Sequence, residues 1–228
     1  MLKKVILSSL ISVLLMLFSA SSNAQSMLKD MDYNYKVLET WMENNKEKYD
    51  SLMTLFLNAD TLGVYEAFTL YFGYTYTDKY QPMYSEDKAA LDLYNKGLAE
   101  EAYKAYQKEY EKNPLFLRTL LRLAMLADKL GYAEESKKYA FRFVTLSKAI
   151  GLSGDASKEH PMHVICVPDE YMMLKMITDF AAYDTQGQSL VGSCDVLKLK
   201  MADDGSIREY WFNVSRYFAV MQKQLNFK

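Results

Sequence analysis

Residues 88–131 read KAALDLYNKGLAEEAYKAYQKEYEKNPLFLRTLLRLAMLADKLG, and the organisation of the chain follows from this stretch. Three runs rich in strong helix formers are separated at Gly97 and at Asn113-Pro114, and the last is closed by Gly131. Gly131 follows Gly97 by 34 residues, and Gly97 follows Gly63 by 34. A glycine between two helices takes a backbone conformation that is costly for other residues, so each is read as the tight turn of an antiparallel helix pair. Asn113-Pro114 ends one helix and restarts the next, because proline suits a helix's first turn and breaks its interior.

Other columns keep the same register. Glu66, Glu100 and Glu134 align, as do Leu55, Ala89 and Leu123, then Phe56, Ala90 and Ala124, and Ala59, Leu93 and Ala127. A period of this length belongs to the tetratricopeptide helix pair. The large aromatic and Leu-Gly pair of that signature are not filled consistently. The period predicts a first helix of each pair at 46–58, 84–95 and 115–129, and a second at 62–74, 98–112 and 132–149. Pro82 restarts the chain ahead of the second pair. An earlier helix at 30–45, with Val37, Leu38 and Trp41 as its apolar stripe, caps the stack.

Beyond Ile150 the period stops. Gly151-Leu152-Ser153-Gly154-Asp155 is a turn-rich link, followed by short β-prone runs. Met162 to Val167 reads as a strand ending at Pro168, and Tyr171 to Ile177 as a short helix or a strand. Phe180 to Tyr183 and Ser193 to Met201 read as extended, with Asp184 to Ser189 a polar loop. Asp203-Asp204-Gly205 is a hairpin turn into Ile207 to Val214, with Val196, Leu197 and Leu199 set against Tyr210, Phe212 and Val214. A last helix runs from Arg216 to Leu225. The fold class is α+β: tetratricopeptide-like antiparallel helical hairpins over 25–150, then an α+β part over 151–228 with a small antiparallel sheet and a C-terminal helix.

Residues 1–24 read as a cleavable export signal. Lys3 and Lys4 form a positive start, an apolar run extends from Val5 to Phe18, and Ser22-Asn23-Ala24 offers a small-residue cleavage site. The apolar run falls short of the roughly 20 residues that span a bilayer. Cleavage after Ala24 leaves Gln25 first and sends the protein to the periplasm or the exterior, with no further membrane insertion. Removing Lys3 and Lys4 from 27 Lys+Arg leaves 25 against 29 acids, a formal charge of −4 that argues against a nucleic-acid partner. Two cysteines, Cys166 and Cys194, sit 28 apart where oxidation is permitted, so they form either one disulfide or two separate buried thiols.

Several ordered motifs carry a resemblance. They are Tyr80-Gln81-Pro82, Asn113-Pro114, Lys129-Leu130-Gly131, Ser153-Gly154-Asp155, His163-Val164-Ile165, Asp169-Glu170-Tyr171, Cys194-Asp195 and Tyr210-Trp211-Phe212-Asn213-Val214. From Asp30 to Ser215 the chain resembles a family of exported bacterial proteins catalogued only as a domain of unknown function. The resemblance departs at Ala156, where the family commonly has glycine, and at Met162, where it has an aromatic. It implies a fold and no activity.

Chemical motifs are weak. His160 and His163 are the only histidines, and Pro161 between them prevents the helix that would place both on one face for zinc, so no metal is expected. No nucleophile elbow, phosphate loop or dinucleotide fingerprint occurs, and no cofactor is implied. The binding candidates are Tyr74, Tyr76, Tyr80 and Tyr84, which form either an aromatic edge to a groove or a satellite core beneath a connecting loop. Arg118 and Arg122, four apart on one helix face, either meet a carboxylate or lie on a solvated surface. These features predict a protein- or peptide-binding or structural module of the cell envelope. The alternative is a small hydrolase or ligand-binding protein with its site at the junction of the helical and β parts.

Overall fold

The computed structural model describes residues 35–58 and 62–226. The export signal, Gln25, the start of the capping helix at 30–34 and Ala59 lie outside these residues. The helical part comprises α1 (Tyr35–Asn44), α2 (Lys46–Asn58), α3 (Val64–Gly73), a 3-10 turn (Tyr74–Tyr76), α4 (Lys88–Asn95), α5 (Ala99–Lys112), α6 (Leu117–Leu130) and α7 (Ala133–Gly151). Then follow β1 (Met162–His163), α8 (Val167–Ile177), β2 (Tyr183–Val191), β3 (Cys194–Met201), β4 (Ile207–Asn213) and α9 (Ser215–Asn226). The α+β class agrees with the reading above.

Gly97 and Gly131 close α4 and α6 at φ of +77° and +81°, where a side chain is strained. Gly63 differs. Its φ of −66° is ordinary extended backbone, and it starts α3, with the Glu66 carboxylate accepting from its N–H at 2.6 Å. Asp87 starts α4 by accepting from the N–H groups of Ala89 and Ala90.

Packing does not follow chain order. α4 packs on α5, α5 on α6 and α6 on α7, but α3 also packs on α7. The first hairpin therefore also lies against the third. Arg142 of α7 fixes this arrangement. It is buried, donates to the carbonyls of Phe56 and Leu57 at the end of α2, and lies among the rings of Phe56, Tyr110 and Tyr139. Those carbonyls have no intrahelical donor, so a buried cation is well placed at the negative end of the helix.

The sheet has the order β1-β4-β3-β2. β2, β3 and β4 are antiparallel, but β1 pairs parallel to β4, so the sheet is mixed and not wholly antiparallel. Leu197 lies opposite Tyr210, as expected, while Val196 meets Trp211 and Leu199 meets Arg208. The expected strand at Met162 to Val167 is only two residues long, because Pro168 sits in the first turn of α8 and draws Val167 into that helix. The polar run Asp184 to Ser189 is strand, not loop. It forms most of exposed edge strand β2, whose register slips between Thr185 and Gly187. Phe180 lies in a left-handed turn at φ +56°.

One hydrophobic core joins the parts, with Leu70, Tyr106, Leu120 and Leu146 from the helices and Leu197, Leu199 and Phe212 from the sheet. The Ser153-Gly154-Asp155 link has a steric reason. A Cβ on Gly154 would lie 2.3 Å from the Pro161 carbonyl oxygen and 2.5 Å from that of His160. Ser153 Oγ accepts from the His163 N–H at 2.7 Å, holding β1 against the end of α7.

Candidate functional site

The helical and β parts are sewn together where α8 begins. Tyr71 of α3 donates its hydroxyl to Asp169 Oδ2 at 2.6 Å and accepts from the Ile165 N–H at 3.3 Å. Tyr80 donates to the Ile165 carbonyl. Asp169 and Glu170 fall in the first turn of α8, where the helix dipole favours negative charge, yet both are buried. Burial raises Asp169 to about 6, against the pull of Tyr71, Cys166 and the Leu117 N–H. Burial and then the neighbouring Asp195 carboxyl raise Glu170 to about 9, so it is a neutral acid at pH 7. Asp169 ties α8 to α3 through Tyr71, whereas neither carboxyl oxygen of Glu170 has a hydrogen-bond partner among the described residues.

The tyrosine cluster belongs to the same seam. Tyr74 and Tyr80 are buried, and burial lifts Tyr74 to about 12 and Tyr80 further, leaving neutral hydroxyl donors. Tyr74 donates to the Lys79 carbonyl at 3.3 Å, half-buried Tyr76 to that of Tyr35 at 2.6 Å, and Tyr84 to that of Glu109 at 3.4 Å. Arg216 of α9 lies over the Tyr76 ring at 3.6 Å and donates to the Thr75 hydroxyl and carbonyl. All four tyrosine hydroxyls are thus committed to backbone oxygens, which is the arrangement of a core beneath a connecting segment.

His163 is on β1, where burial lowers its imidazole to about 4, and its Nδ1 is hydrogen-bonded to the Tyr35 hydroxyl at 3.0 Å. His160 is exposed in the preceding loop. Among the described residues no three His, Cys, Asp or Glu side chains are grouped to hold a metal ion. Cys166 and Cys194 are both buried free thiols.

Arg118 and Arg122 have a different setting. They project from α6 beside α8, and their side chains retain 29% and 25% of their exposure. Between them lies the carboxylate of Glu86, from the segment between the 3-10 turn and α4, with only 5% exposure. Arg118 Nη1 is 3.4 Å from Glu86 Oε2, Arg122 Nε is 3.3 Å from Oε1, and Tyr106 donates to Oε1 at 2.5 Å. The Arg122 guanidinium also lies 4.0 Å over the Tyr94 ring. Burial lowers the Lys175 ammonium of α8, and the neighbouring Arg122 and Arg118 press it down further, while Glu86 pulls the other way.

The half-exposed patch between α6 and α8, the α6–α8 notch, thus has Arg118 and Arg122 flanking one carboxylate, exposed Lys175 acting on the same charges, and buried Asp169 close enough to feel Arg118. Each guanidinium has five N–H donors. Among the described residues each engages Glu86 through one nitrogen and has no other hydrogen-bonded side chain, and Lys175 has neither a hydrogen bond nor an ion pair. Sequence reading reached the two arginines through their spacing. It missed Glu86, Tyr94, Tyr106 and Lys175, because no local pattern signals that positions 86 and 175 converge on the same helix.

The sequence model of a family described as Domain of unknown function (DUF4919) matches residues 36–223 of the chain. No curated protein and no solved structure matches it.

Proposed function

Because the chain belongs to the DUF4919 family, whose description names no activity, we propose from its geometry that it is an exported binding module that holds an acidic segment of a protein or peptide in the α6–α8 notch. The observation that carries this reading is the surplus of cationic donors. Arg118 and Arg122 meet at Glu86 with their side chains a quarter or more exposed, exposed Lys175 acts on the same charges, and among the described residues most of their N–H groups engage no protein acceptor. Arginine presents a planar fork suited to oxyanions, and a second carboxylate can pair with the donors that Glu86 leaves over.

Binding rather than hydrolysis is favoured because the most strongly shifted acids, Asp169 and Glu170, are enclosed at the seam. Export rests on Lys3, Lys4, the apolar run and Ser22-Asn23-Ala24. N-terminal mapping of protein from the native envelope is expected to find Gln25 first, and recovery of chains that retain Met1 would refute cleavage.

Calorimetric titration with a hexaglutamate peptide tests the notch. We expect saturable binding that weakens as salt rises, because the attraction is between charges that remain partly in water. Arg122→Ala should reduce affinity at least tenfold, and Lys175→Ala severalfold. Unchanged affinity in both variants would remove the notch from the function.

A further inference from the structure

The notch already contains one carboxylate, its own. Glu86 is supplied by the irregular segment before α4, not by a helix, and is nearly enclosed. Its two oxygens are divided between the two guanidiniums, one to each, at 3.4 and 3.3 Å. Charge-assisted N–H···O bonds ordinarily close to about 2.7–2.9 Å, so both contacts are loose. The one short bond comes from the neutral Tyr106 hydroxyl. Lys175, which could share the load, makes no hydrogen bond to Glu86 or to any other described residue. The receptor is thus built to the dimensions of a single carboxylate but does not clasp the one it contains.

Resting on the binding reading above, we propose that Glu86 is an internal stand-in for the ligand: the group recognised is one carboxylate, which enters between Arg118 and Arg122 and displaces Glu86. Two planar guanidiniums, each offering a pair of parallel donors, match two coplanar oxygens. The entering carboxylate also feels the charge of exposed Lys175 on the neighbouring face of α8. Its α6 partners are the same two guanidiniums, so both carboxylates cannot occupy the space between them. Glu86 therefore lowers the apparent affinity by the fraction of time it fills the site.

The test uses the full chain with Glu86→Gln, which keeps the shape and the hydrogen bond from Tyr106 but removes the charge. Hexaglutamate should bind this variant at least tenfold more tightly than the wild type, and equal or weaker binding would overturn displacement. Glu86→Ala supplies an independent readout that needs no peptide. Its melting temperature should rise saturably with propionate and not with chloride at equal ionic strength, and that rise should vanish when Arg122→Ala is added. If phosphate stabilises Glu86→Ala as well as propionate does, selectivity for a carboxylate is overturned even where hexaglutamate binds the wild type. Two peptides then identify the source of the carboxylate on Glu86→Gln. One is alanine-only with a free C-terminus, and the other is amidated with a central glutamate. Binding of either supports the proposal and names its source, and binding of neither overturns it.

Discussion

At the scale of single residues, the buried acids make a prediction with a definite sign. Glu170 titrates near 9 in the folded protein against an ordinary 4.5. The folded state therefore retains a proton that the unfolded chain releases between those values. Its contribution is complete below about pH 4.5 and is lost as pH rises towards 9. Asp169 has the same sign over a lower window, from 3.8 to about 6. His163, lowered from 6.5 to about 4, has the opposite sign, and its contribution is lost as pH falls through that window. Above pH 6.5 only Glu170 of the three still changes. We expect Glu170→Gln to stabilise the protein at pH 8 by about 1–3 kcal/mol and to do so less at pH 5. Thermal melts across pH 5–9 measure this, and a variant that keeps the wild-type slope would refute it. The Asp169-Glu170-Tyr171 motif was visible in the chain, but its burial was not. Enclosure depends on Tyr71 and Tyr80, roughly 90 residues away, and no local pattern reports that distance.

At the scale of elements, helix boundaries were legible because they depend on neighbours in sequence. The runs at 46–58, 98–112 and 132–149 became α2, α5 and α7 within one or two residues. β2 was not legible: its run of polar residues lacks the alternation that marks a half-buried strand, because both its faces are exposed. Two glycines separate these cases experimentally. Gly97→Val places a branched side chain at φ +77° and should cost about 1 kcal/mol or more, although the space around it is open. Gly187 has no atom within 4 Å of a Cβ and lies in a strand, where valine is favoured. Gly187→Val should therefore leave the melting temperature unchanged or raise it slightly. Equal losses in the two variants would show that φ is not what Gly97 contributes.

At the scale of the whole molecule, the order of helices along the chain was legible but their order in space was not. A 34-residue period suggests that pair one stacks on pair two. Here the Arg142 contact to Phe56 and Leu57 holds the first hairpin against α7 instead. The candidate site shared this limit, since Arg118 and Arg122 were found from their spacing and Glu86 and Lys175 only from their convergence. The placement of the first hairpin also bears on how the molecule opens. α4 through α7 each pack on the next helix in sequence, whereas α3 must reach α7 across the whole intervening array. α2 buries only Tyr49 and Phe56, while α6 buries seven residues. In native-state hydrogen exchange, α2 amides should exchange through a local detachment that leaves α5–α7 protected, and Arg142→Met should accelerate exchange in α2 first. α2 would then behave as a hinged flap on an otherwise continuous helical array, able to undock and return without global unfolding, while α3 stays anchored by Tyr71.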